Sequence, residues 1–96
     1  MTERILVINP NCTEIVTRGI DEACAPLRME GGPAIDCMTL KEGPPGIETQ
    51  QHVDGVVAPM LKVVRERESE YAAFVIACYS DPGLHSVREE IGRAHV

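Results

Sequence analysis

The chain has 96 residues, 44% of them hydrophobic and 25% charged, and a formal net charge of -6. That length allows one small domain, burying somewhat under ~70% of the surface of the unfolded chain. The acidic balance argues against sequence-independent binding to nucleic acid, which needs a basic face, and no apolar run nears the ~20 residues of a membrane span.

Met1-Thr-Glu-Arg4 lacks the basic and apolar layout of a signal peptide, so a cytoplasmic protein is expected. Arg4-Ile-Leu-Val-Ile-Asn9 reads as a first strand, apolar on both faces, and Pro10 and Asn11 break it. Thr13 is placed to cap a helix whose apolar residues recur at Ile15, Val16, Ile20, Ala23, Cys24 and Leu27, the spacing of one buried face. Gly31-Gly-Pro33 ends it, Ala34 to Leu40 reads as a second strand, and Gly43-Pro-Pro-Gly46 as a rigid turn.

From Ile47 to about Glu68 the pattern is helical, with Val53, Val56, Val57, Met60, Leu61 and Val64 as its buried stripe. Pro59 predicts a kink or break near Ala58, and Arg65-Glu-Arg-Glu68 a solvated end. Phe74-Val-Ile-Ala77 is a short apolar run typical of a strand buried on both faces. It ends at Cys78, and a last helix is expected from Pro82 or Gly83 with Asp81 as its cap. The order β-α-β-α-β-α with short connections predicts right-handed crossovers and a parallel sheet of three layers. A flavodoxin-like strand order of 2-1-3 sets Asn9-Pro-Asn-Cys-Thr13 against Cys78-Tyr-Ser80.

Ligands of open α/β sheets bind beyond the carboxyl ends of the strands. A thiol at that place is either a small core residue or a nucleophile or base. The four cysteines (12, 24, 37, 78) and three histidines (52, 85, 95) show no metal-ligand spacing, so no metal site is predicted. Cys24 and Cys37 read as core fillers, and His52 and His85 as surface positions.

Ile5-Leu-Val-Ile-Asn-Pro-Asn11, Gly43-Pro-Pro-Gly-Ile-Glu48, and Val75-Ile-Ala-Cys-Tyr-Ser-Asp-Pro-Gly-Leu84 with Arg88-Glu89 stand in register along most of the chain. Together they resemble the aspartate/glutamate/hydantoin racemase family, especially its hydantoin and allantoin racemase branch. The resemblance implies the first half of a two-domain fold and cofactor-independent proton exchange at a carbon next to a carbonyl. Each domain of such an enzyme supplies one cysteine, and Cys78 matches the amino-terminal one. The implied substrate-binding residues are Asn9, Thr13 and Ser80; the amides of Tyr79 and Ser80 are placed to hold an enolate oxygen. Exposed amides and the positive end of a following helix favour a thiolate at this position.

The implied substrate is a small hydantoin-, allantoin- or amino-acid-like molecule, and the implied partner a missing carboxyl-terminal domain; a homo-oligomer is the further expectation. Cys12 departs from the small hydroxyl residue the family commonly carries there. Ile91-Gly-Arg-Ala-His-Val96 is one translation of ATC-GGA-AGA-GCA-CAC-GTC, part of a common sequencing adapter. We therefore expect an amino-terminal α/β domain over residues 1–90, an adapter scar over 91–96, and no activity from the fragment alone.

Two other readings compete. A maleate isomerase or arylmalonate decarboxylase relative uses the same scaffold differently, and Cys78 disfavours a decarboxylase whose only cysteine lies in the second domain. A non-enzymatic flavodoxin-like binding module ranks low. A phospho-receiver needs acidic residues where Asn9 and Cys78 stand, and Asn9-Pro-Asn-Cys-Thr13 makes a poor phosphate loop for a flavin.

Overall fold

β1 (Arg4–Asn9), β2 (Ala34–Thr39), β3 (Ala73–Ile76) and β4 (Ala94–His95) pair as one parallel sheet in the order β2-β1-β3-β4. The computed structural model describes residues 3–91 and the backbone of 94–95. The order 2-1-3 is the expected one. The addition is β4, a two-residue pairing along the open edge of β3. A pairing of that length uses backbone groups and asks nothing of the side chains. The rest of the expected scar, Gly92, Arg93 and Val96, lies outside the described residues.

The helices are α1 (Glu14–Cys24), α2 (Gln50–Gly55), α3 (Val57–Arg67) and α4 (Leu84–Ile91), with single 3-10 turns after α1 and α3. The long helix read from Ile47 to Glu68 is thus two helices, broken at Val56 rather than near Ala58. Pro59 explains the break: it has no N–H to give to the carbonyl of Gly55, so it sits in the first turn of a new helix, where none is required. At the other end, Arg67 is half-buried rather than solvated, its guanidinium 5.3 Å from the centre of the Tyr71 ring.

One continuous apolar core lies on one side of the sheet. Leu6, Ile8, Phe74 and Ile76 from the strands meet Val56, Met60 and Val64 from the break and α3, and Leu84 and Val87 from α4. Residues alternate across a strand, so Val7 and Val75 face the other side, where α1 packs against β2.

That second layer is incomplete. Of α1 only Thr17 is fully buried. The stripe expected to be core is open: Val16 is 41% exposed and Leu27 60% exposed. Val75 and Ala77, expected to be buried, are half-buried for the same reason, that among the described residues no helix covers the α1 side of β3. Cys24 and Cys37 are half-buried neighbours at the seam of α1 and β2 rather than core fillers. Burial and the adjacent Cys24 thiol push Cys37 up to about 11.

At the amino end of the sheet, the register Arg4↔Ala34 brings Arg4 beside Asp36, and Arg4 Nη2 donates to Asp36 Oδ2 at 2.6 Å. The buried Tyr71 hydroxyl donates to the same oxygen at 2.8 Å, and the Arg4 guanidinium stands 4.9 Å from the Tyr71 ring centre. The Arg4 hydrogen bond, then that of Tyr71, holds the Asp36 carboxyl below the usual range; burial, then Asp36, pushes the Tyr71 phenol up. A carboxyl depressed in the fold stabilises it above its unfolded value, and that contribution is lost as pH falls through the folded value. Asp36→Asn should therefore destabilise the protein near neutral pH by up to about 1 kcal/mol, since the pair is half-exposed, and by less near about pH 2. Urea midpoints of both proteins across that range check this; an equal difference at both ends would refute it.

Candidate functional site

The carboxyl ends of β1 and β3 lie side by side, Ile8 opposite Ile76, with Ala77 N donating to Ile8 O at 2.9 Å. Asn9 closes β1 and is only 2% exposed. Its Nδ2 donates to Asn11 Oδ1 at 2.8 Å and to Thr17 Oγ1 at 3.0 Å, and its Oδ1 accepts from Asn11 N at 3.3 Å. Thr17 Oγ1 lies 2.6 Å from Thr39 Oγ1, and Thr39 Oγ1 donates to Glu14 Oε2 at 2.7 Å. Each hydroxyl has one proton, so the direction is fixed: Asn9 donates to Thr17, Thr17 to Thr39, and Thr39 to the Glu14 carboxylate. This chain joins the ends of β1 and β2 to the first two turns of α1.

Asn11 Oδ1 also accepts from Thr13 N at 2.9 Å, an Asx turn that leads into α1. Thr13 stands at the helix cap as expected but makes no side-chain cap bond. Its hydroxyl donates instead to Pro45 O at 2.7 Å, and Cys12 N donates to Pro44 O at 2.8 Å. The 43–46 turn is thereby strapped to the Asn-Pro-Asn loop. The approach is close: a Cβ on Gly43 would collide with the Pro10 carbonyl oxygen. His52, read as a surface residue, is half-buried and holds the far end of this segment. Its Nδ1 accepts from Glu48 N at 3.0 Å and Thr49 N at 3.2 Å, while Thr49 Oγ1 accepts from His52 N. That is a capping box with histidine in the reciprocal place.

Facing these loops, Cys78 is half-buried, its Sγ 3.3 Å from Ser80 Oγ. Cys78 O accepts from Asp81 N at 3.1 Å, which turns the chain back at once. Tyr79 projects wholly into solvent and Ser80 is exposed. Asp81 adopts a left-handed φ of 50° and does not cap α4 with its side chain; its backbone oxygen accepts from Leu84 N, and its buried Oδ1 has no partner. The helix begins at Leu84 because Gly83, at φ 75°, is still outside it.

The strand ends therefore assemble Asn9, Thr13, Cys78 and Ser80 at one end of the sheet, while the Tyr79 side chain leaves it. Sequence reasoning missed Thr17, Thr39 and Glu14. The available signal was Thr17 itself, a hydroxyl one turn beyond Thr13 among the apolar positions of α1. Among the described residues, no group of three or more His, Cys, Asp or Glu is arranged to hold a metal. No helix among them is long and apolar enough to cross a membrane.

A flavodoxin-like half-sheet with a cysteine turn at β3 facing an Asn-Pro-Asn loop at β1 defines a recognisable class. The sequence profile of Asp/Glu/Hydantoin racemases matches residues 5–95, and the chain belongs to that family. Among its relatives, the hydantoin racemase of Pseudomonas sp. (strain NS671) is 38% identical over 87 residues, covering 90% of this chain and 34% of the relative. The hydantoin racemase of Paenarthrobacter aurescens is 35% identical over 88 residues, covering 90% and 37%. The solved allantoin racemase from Klebsiella pneumoniae superposes with a TM-score of 0.79 at 31% identity, covering 92% of this chain and 36% of that one. The chain thus spans about a third of the length of the curated relatives it matches.

Removing the Thr17 hydroxyl takes from Asn9 one of its buried acceptors, leaving the longer bond to Thr13 O, and leaves the buried Thr39 hydroxyl without its donor. Thr17→Val should cost about 1–3 kcal/mol in urea denaturation, with Thr17→Ser recovering most of it. A Val variant as stable as the parent would show that the chain of hydroxyls does not hold the loop.

Proposed function

We propose that this chain is the Cys78-bearing half of a cofactor-independent racemase acting on a hydantoin-, allantoin- or amino-acid-like substrate. The observation that carries the reading is the position of Cys78 at the end of β3, across from the strapped Asn9–Thr13 loop at the end of β1. In this reading the Cys78 thiolate removes the proton on the carbon next to the carbonyl, and the C–H electron pair passes into the carbonyl as an enolate. A second thiol, from polypeptide outside this chain, donates a proton to the opposite face. Racemisation results, and the two thiols exchange protonation states.

The amides of Tyr79 and Ser80 stabilise the enolate oxygen, and the hydroxyls of Ser80 and Thr13 take polar atoms of the substrate. Asn9, whose amide is engaged within the loop, contributes by holding Asn11 and Thr13 in place. A domain of residues 1–90, the adapter origin of 91–96 and a reducing, cytoplasmic setting for the free cysteines belong to the same reading.

The chain alone should cause no protein-dependent loss of optical rotation of a chiral 5-substituted hydantoin, since only one face of the carbon has an acid or base. Grafted in place of the matching region of the Pseudomonas hydantoin racemase, residues 3–90 should restore racemisation, and Cys78→Ala in that chimera should lower the rate by about 10²–10⁴-fold. A folded Cys78→Ala chimera that keeps its rate would overturn the assignment.

A further inference from the structure

Two thiols lie together away from the strand ends that carry Cys78. Cys24 is the last residue of α1 and Cys37 stands in β2, and both are free and half-buried. Their meeting follows from the way α1 lies on the strand. Thr17 of α1 touches Thr39 at the carboxyl end of β2, Oγ1 to Oγ1 at 2.6 Å. Cys24 is about two turns further along α1, on the helix face of Thr17, and Cys37 is two residues back along β2, on the strand face of Thr39. Beyond them, Arg28 donates through Nε and Nη2 to Ile35 O at 3.2 and 2.9 Å. The helix thus runs back down β2, and the residues meet in order: Thr17 with Thr39, Cys24 with Cys37, Arg28 with Ile35.

The thiol pair is therefore held between two fixed contacts. Arg28 also donates to Asp21 Oδ1 at 2.5 Å and to Asp21 O at 3.1 Å, which keeps the end of α1 against the edge of β2. Cys24 is half-buried between exposed Ala23 and Ala25, within reach of a small solute. Burial, then the Cys24 thiol, pushes Cys37 up to about 11, so at neutral pH Cys37 stays a thiol. Cys24 is then the sulfur that an oxidant meets first.

We propose that Cys24 and Cys37 are a redox modification site, which closes to a disulfide when hydrogen peroxide reaches the seam of α1 and β2. The Cys24 sulfur attacks one peroxide oxygen, the O–O bond breaks, one water leaves, and a sulfenic acid remains. The Cys37 sulfur then displaces that hydroxyl as a second water, so the S–S bond forms as the S–O bond and the Cys37 S–H bond break. The two thiols together give up two electrons and two hydrogens, and the peroxide is reduced to two waters. The bond closes the loop from Ala25 to Asp36, which contains Gly31 and Gly32, and so takes freedom from the unfolded chain. In the fold it ties α1 to β2 along the seam that also bears the Thr17 and Thr39 hydroxyls. Cys78 takes no part in this chemistry.

A Cys12→Ser/Cys78→Ser chain leaves this pair as its only thiols. Treated under native conditions with a few equivalents of hydrogen peroxide, it should lose both thiols together. Peptide mapping should find Cys24 joined to Cys37 in a monomer two hydrogens lighter. The oxidised form should show a urea midpoint higher by about 1 M or more, and dithiothreitol should return it to the starting value. Cys24→Ser in the same background should remove the shift. Should the double variant not fold, mapping of the unaltered 96-residue chain reads the same link. Thiols that stay free, a link between two copies, a sulfinic acid on one cysteine without a link, or a disulfide that does not raise the midpoint overturns the proposal.

Discussion

The run of hydrogen bonds from Asn9 through Thr17 and Thr39 to Glu14 is the constraint on which the site end of this fold depends. Parallel strands end in carbonyls and amides that no neighbouring strand satisfies, and a loop leaving such an end must find partners or leave polar groups buried and unpaired. Here the carboxyl ends of β1 and β2 and the start of α1 meet, and each buried hydroxyl both donates and accepts. Asn9 is at once the last residue of β1 and the first member of the chain. The position of the Asn-Pro-Asn loop is therefore fixed by groups that have no freedom to rearrange singly. The straps from Cys12 and Thr13 to Pro44 and Pro45 then extend the same order to the 43–46 turn, where Gly43 alone allows the approach.

The sheet is built unevenly. Its α3 and α4 side is a finished core in which Phe74, Ile8, Met60 and Val64 lose all contact with water, while its α1 side covers β2 and leaves β3 half-open. Strand order causes this asymmetry. Two successive connections in one direction must lie on one face, and only the reversed first connection reaches the other. The exposed Val16 and Leu27 are thus a consequence of topology and not of a weak helix: α1 keeps a clear division into apolar and polar faces with only part of a partner.

Much of this was legible in the sequence because the relevant signals are local. The apolar runs at Arg4–Asn9, Ala34–Thr39 and Ala73–Ile76 and the breakers between them define three strands and their order. Cys78 and the Asn9–Thr13 loop were legible as juxtaposed, since a 2-1-3 order puts those ends together. What a helix face packs against is not local. The periodicity of α1 marked Val16, Ile20 and Leu27 as apolar, but whether a layer covers them depends on elements elsewhere. The polar chain was illegible for a similar reason: Thr17 and Thr39 are 22 residues apart, and only the packing of α1 on β2 brings them together. Pro59 announced a break, yet where the break fell depended on which turn could do without an N–H.

The two sides of the site differ in how firmly they are held. On the β1 side the polar side chains of Asn9, Asn11, Thr13 and Thr17 have named hydrogen-bond partners. On the β3 side the cysteine turn has Cys78 and Ser80 in contact with each other, Asp81 at a positive φ, and a buried carboxylate oxygen without a partner. Aspartate tolerates the left-handed region better than most residues, but the unpaired oxygen still disfavours this arrangement. Pro82, fully buried, and Gly83 fix the backbone on the far side, so the turn cannot relax simply by extending α4 toward Cys78. Strain of this sort persists only where surrounding structure enforces it, and it collects where a backbone must present a group in one direction. A loop anchored through its side chains thus stands at the same end of the sheet as a turn held by its backbone, which carries one half-buried thiol.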